Sequence, residues 1–138
     1  MKERDEALAG SFTEENVEAA ISYAIDHCHE PAITYTELFD AASLHPPRWY
    51  FDNGFRSVIT EFMEALHFAC ARKGLPPFDA FIVTAGGERA NYPGVGYFSV
   101  NGLSDPLNDR TTYPKAKTAL AFHDSQLKQI RSWCEGQN

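Results

Sequence analysis

Apolar positions along the chain recur at helical spacing in three long stretches. The first runs through Val17, Ala20, Ile21, Ala24, Ile25 and Cys28 on one face. Thr13 stands at its N-cap, Glu14 and Glu15 fill the first turn where the helix dipole favours acids, and Pro31 closes it. The second and broadest stripe is Phe55, Val58, Ile59, Phe62, Met63, Leu66, Ala69 and Cys70. Arg72 and Lys73 lie in its last turn, and Gly74 suits the residue after the cap. The third is Ala116, Leu120, His123, Leu127, Ile130 and Cys134, with Pro114 near its start and Gly136 at its end. Between the first two, Thr34 and Glu37 have capping-box spacing and predict a short helix with Leu38, Phe39 and Ala42 inward. Pro46-Pro47 ends it.

After Gly74 the pattern changes. Phe78 to Thr84 predicts a strand, Ala85 to Gly96 a turn-rich loop, Tyr97 to Val100 a returning strand, and Asn101-Gly102 a turn. A polar linker follows from Asp105 to Thr112. The expected fold class is therefore α+β: winged-helix-like and mostly helical, with a small antiparallel β-hairpin. Ala32-Ile33 supplies a possible third short strand. Residues 1–12 are expected to form a flexible acidic tail, and 13–136 a single domain.

Composition supports a packed core. Hydrophobic residues make up 43% of the chain and aromatics 13%, well above the range of disordered sequences. No apolar run approaches the ~18 residues of a membrane span, and the charged start, Met1 to Gly10, lacks a signal-peptide pattern. Cys28, Cys70 and Cys134 are odd in number and widely spaced, which argues against a disulfide framework and for a reducing cytoplasmic setting. The net charge of −7 is uneven. Residues 1–40 hold ten acids against two bases, and the remainder nine acids against ten bases.

No converging set of catalytic groups emerges, so the expectation is a non-enzyme without cofactor or metal. His27-Cys28-His29 cannot chelate one ion from consecutive helical positions, which point about 100° apart. His123-Asp124 reads as helix surface, and no second Cys/His pair has zinc-ligand spacing. Gly86-Gly87 and Gly94-x-Gly96 match no phosphate-binding fingerprint and read as turns needing positive φ.

Partner binding is the better expectation. Arg48-Trp49-Tyr50-Phe51 places three aromatics in a row, and neighbouring side chains point apart, so at least one should reach the surface. Arg56, Arg72, Lys73 and Arg89 with Tyr92 form a basic candidate surface for a partner or for phosphates. Glu14, Glu15, Glu18 and Asp26 on the first helix form an acidic patch suited to a basic partner. A protein partner is expected first and nucleic acid second, with no membrane and no small-molecule cofactor.

Four pieces carry a resemblance: Thr34-Tyr35-x-Glu37-Leu38, His45-Pro46-x-Arg48, Gly74-Leu75-Pro76-Pro77 with Ile82-Val83, and Pro93-Gly94-x-Gly96-x-Phe98. Together, over roughly residues 33–98, they resemble an uncharacterised bacterial and phage module, some copies of which stand beside nuclease or restriction modules. That resemblance implies a phage or mobile-element modulator or inhibitor of a nucleic-acid-handling defence complex. More distantly, the element order resembles the winged helix-turn-helix domain of alkyltransferase-like DNA-repair proteins. Thr34 and Tyr35 match its start and Arg56 its recognition-helix arginine. Pro76-Pro77-Phe78-Asp79 stands where the nucleophile motif would be, so alkyl transfer is not implied. A DNA-binding winged-helix transcriptional regulator is the alternative this second resemblance offers.

Overall fold

The computed structural model describes residues 12–44, 56–85 and 90–137, apart from the side chains of 56–60 and 95. The expected tail through Ser11, the Arg48–Phe51 stretch and Arg89 lie outside the described residues.

Helix α1 spans Glu14–Asp26. The Thr13 side chain accepts from the Asn16 N–H (3.3 Å), and the Asn16 side chain accepts from the Thr13 N–H (2.8 Å), which satisfies two orphan donors at once. Val17, Ala20, Ile21 and Ala24 bury the expected face. Strand β1 (Ile33–Thr34) leads directly into α2 (Tyr35–Ala41). Here the Thr34–Glu37 capping box forms as its spacing predicted, with Thr34 N–H donating to Glu37 (3.0 Å) and Glu37 N–H to Thr34 (3.2 Å). Helix α3 (Arg56–Arg72) buries Phe62, Met63, Leu66, Ala69 and Cys70. It ends at Gly74, whose φ of +69° only glycine adopts without cost.

The expected strand from Phe78 is mostly something else. A 3₁₀ turn occupies Phe78–Phe81, and only Ile82–Val83 is strand (β2). The turn begins under Pro76 and Pro77, whose carbonyls accept from Phe78 N–H (2.8 Å) and Ala80 N–H (2.9 Å). β2 pairs with β1 in parallel, Ile33 opposite Ile82 and Thr34 opposite Val83. The expected antiparallel hairpin is thus replaced by a small parallel pair joined across α2 and α3. Its would-be returning strand is helix α4 (Val95–Val100). Asn101-Gly102 is the expected turn, and it follows a helix rather than a strand. Gly102 has φ +71°, and its N–H and that of Leu103 close back on Ser99 (2.9 Å) and Phe98 (2.8 Å). Gly94, expected to supply positive φ, has φ −69°. Its value lies in close approach: a Cβ there would meet the Tyr35 hydroxyl at 3.2 Å, and that hydroxyl accepts the Gly94 N–H at 2.8 Å.

Helix α5 spans Tyr113–Glu135. Only Ala119, His123 and Ile130 of it are buried, so the inward register passes through Ala119 rather than the exposed Leu120. The core is one cluster with Phe62, Phe78, Phe81, Phe98, Leu38, Leu66 and Ile82 fully enclosed. Phe12 and Phe39 both meet Phe62 edge-on, with ring centroids 5.2 and 5.4 Å away. The molecule is mostly helical with a two-stranded sheet. No helix among the described residues is long and apolar enough to cross a membrane.

Cys28 and Cys134 form a disulfide, with Cα atoms 5.8 Å apart and a sequence separation of 106. This overturns the reading of three unpaired cysteines and removes that premise for a reducing compartment. Distance along the chain was the wrong criterion, because the ends of α1 and α5 meet beside Phe81 and Ile130. Cys70 is free and buried.

Candidate functional site

Acids of α2 and of the turn after α1 lie around Tyr23. On α1, Glu14, Glu15, Glu18 and Asp26 are all exposed, as expected of a helix whose other face is apolar. Glu18 pairs with Lys73 at 2.8 Å, which joins one acid of the patch to one base of the expected cationic surface. Packing of α2 beside α1 adds carboxylates that the α1 pattern alone does not reveal. The Tyr23 hydroxyl donates to Glu37 at 3.5 Å. Its pKa is raised first by burial and then by the charges of Glu37, Glu30 and Asp40. Acids from α2 and from the turn after α1 therefore converge on one half-buried tyrosine of α1. The His27 ring packs at a tilt on Tyr23 with centroids 4.1 Å apart and hydrogen-bonds Glu30 through Nδ1. Glu37 is held below the usual carboxylate range by the Thr34 N–H and hydroxyl, so it stays charged in this cluster.

The other expected contacts fall elsewhere. Arg56 is the first residue of α3. Arg72 is exposed, whereas Lys73 is taken by Glu18. Tyr92 is half-buried, with its ring 6.3 Å from that of His123, and its carbonyl accepts the Thr84 N–H at 3.1 Å. It thus packs inward and is not a projecting anchor.

A second cluster lies between α3, the 3₁₀ turn and α5. Asp79 is only 2% exposed, and its Oδ2 meets His67 Nδ1 at 2.9 Å. Its Oδ1 is buried without a hydrogen-bond partner among the described residues. The hydrogen bond to Asp79 raises the His67 pKa against the opposing effect of burial. His123, expected on the helix surface, is buried instead. Its Nε2 lies 2.7 Å from the Ala80 carbonyl, which only accepts, so Nε2 carries the proton. Burial lowers its pKa and keeps the ring neutral. Asp124 beside it is exposed and pairs with Lys128.

A histidine oriented by a buried aspartate is half of a nucleophile-activating arrangement. The nearest thiol along the chain, Cys70, is one turn on from His67, but burial pushes it up to about 12. It is not a thiolate at neutral pH. Burial also raises the Tyr97 hydroxyl, which donates to Gln126. Among the described residues no group of three His, Cys, Asp or Glu side chains is placed to hold a metal ion. The His67–Asp79 contact ties α3 to the 3₁₀ turn. Its one signal in the sequence is Asp79 itself, an acid within the apolar run Phe78 to Val83. Comparison of the chain with family models, curated proteins and solved structures gave no match.

Proposed function

We propose that the chain is a non-enzymatic protein-interaction module that takes a basic partner on the acidic face around Tyr23. The convergence of Glu30, Glu37 and Asp40 on Tyr23, on a molecule whose first helix exposes further acids, carries this reading. Carboxylates gathered on one face steer a cationic surface toward it, and a half-buried tyrosine at their centre has the character of a binding hot spot. The resemblance to a bacterial and phage module extends the reading to a modulator or inhibitor of a nucleic-acid-handling defence complex. The winged-helix layout enters only through its three-helix half, α1 to α3. Parallel pairing of β1 with β2 and helix α4 leave the hairpin half without support, which weighs against the DNA-binding alternative.

Affinity capture with wild type, Tyr23→Ala, Asp26→Lys and Trp49→Ala tests the proposal. Loss of a basic partner by at least tenfold in the Tyr23 and Asp26 variants is expected. Loss in Trp49→Ala alone would move the contact to the Arg48–Phe51 stretch, and equal recovery by all four proteins would overturn it. A gel shift on random duplex DNA, weakening with salt at a log–log slope near about −0.9 per phosphate neutralised, would favour the regulator instead.

A further inference from the structure

We propose that the Cys28–Cys134 disulfide is a redox latch, whose reduction releases the C-terminal end of α5 from the body of the domain. The noncovalent hold on that end is confined to Trp133 and Cys134, both partly buried against the core. Ile130 is the last buried residue of α5, and beyond it the Trp133 ring meets Phe78 edge-on at 5.6 Å. Arg131, Ser132, Glu135, Gly136 and Gln137 are exposed. The other half of the latch lies in the short turn that follows α1, past its C-cap at His27. The disulfide thus joins one helix end to another, at the edge of the core beside Phe81. Elements of low local burial are the ones that open separately from the rest of a protein.

Cys28 is only 7% exposed, and its way to solvent is a cleft of about 150 Å³ that it lines together with His29, Glu30, Phe81, Ile130 and Arg131. Arg131 brings a permanent cation to this cleft and Glu30 a carboxylate, and a cation near a sulfur stabilises both an arriving and a departing thiolate. Cys70 does not compete, being buried on α3 with its thiol pushed up to about 12. The reductant is a dithiol. One of its thiolates attacks a sulfur of the bridge, forming a mixed disulfide and expelling the other cysteine as a thiolate that takes a proton from water. Its second thiolate then displaces the remaining cysteine. Two electrons pass from the dithiol to the protein, leaving two protein thiols and an oxidised reductant.

Hydrogen exchange on the full chain, oxidised and then held in excess dithiothreitol, tests the latch. Thiol titration of the unfolded oxidised protein should find one free thiol, and of the reduced protein three. On reduction, amides of residues 131–137 should exchange at least tenfold faster by a local opening that added denaturant does not change, while those of 17–24 and 62–70 still exchange only through global unfolding, at the rate that the lower stability of the reduced protein sets. Cys134→Ser should show the fast exchange without reductant, and Cys70→Ser should behave as wild type. Three thiols in the oxidised protein would overturn the proposal, as would unchanged exchange at 131–137. So would amides of 131–137 that open only together with those of 17–24 and 62–70, which would make the bridge a general staple.

Discussion

His67 and His123 respond to pH in opposite senses. His67 gains an anionic partner on folding, so its folded pKa lies above the unfolded value near 6.5. Its contribution to stability is full below that value and fades as pH rises through the raised folded pKa. His123 is buried and neutral, with a folded pKa below the unfolded value. Its contribution is present above about 6.5 and is lost as pH falls through the lowered folded pKa. Urea unfolding followed from pH 5 to pH 8 should therefore lose its alkaline-side decline in His67→Gln and part of its acid-side decline in His123→Gln. His67→Ala should cost about 3 kcal/mol at pH 6, because the Asp79 carboxylate stays buried with neither oxygen bound. The misfit of Asp79 within an apolar run is visible from composition alone. Its partner is not, since His67 lies outside the apolar stripe of α3 and meets Asp79 only when the 3₁₀ turn folds against that helix.

Caps decide where elements begin and end. Both capping boxes and the glycine stop after α3 act through residues within a few positions of one another, which is why α1, α2 and the end of α3 are legible from spacing. Thr34→Ala removes one side of its box and should lower stability by about 1 kcal/mol in thermal or urea melts. Gly102→Ala should cost a similar ~1 kcal/mol, wholly from backbone strain at φ +71°, because a Cβ there meets nothing within 4 Å. Local signals also mislead. Six residues are too few to separate a helical period from an alternating one, and Tyr97 and Phe98 are consecutive and both buried. The same Asn-Gly pair marks a turn after a strand or after a helix, and only the bonds to Ser99 and Phe98 tell them apart. Strand pairing is the least local feature: β1 and β2 are two residues each, and their parallel register depends on everything folded between them.

Across the whole molecule, charge asymmetry and covalent connectivity set the behaviour. The excess of acids in the first forty residues is plain in the sequence, but its focus on Tyr23 requires α2 to lie against α1. Binding of a basic partner there should slow with added salt chiefly in its association rate, measurable by stopped-flow mixing at two ionic strengths. The disulfide closes a separation of 106 residues, and loop closure on that scale stabilises by about 4–5 kcal/mol through the unfolded state. Guanidinium melts of the oxidised and reduced protein should differ by that order. Equal midpoints would show that the bridge leaves the unfolded chain unconstrained.

Because Cys28 and Cys134 stand at the ends of α1 and α5, tension applied at the termini would pass through α1 and then across the sulfur bridge. The sheet, the aromatic centre and α3 all lie inside the covalent ring and would carry no load. A single molecule stretched between its ends should extend only through the residues outside the ring. The length stored in the 106-residue span should appear abruptly, and only once a reductant has cut the bond.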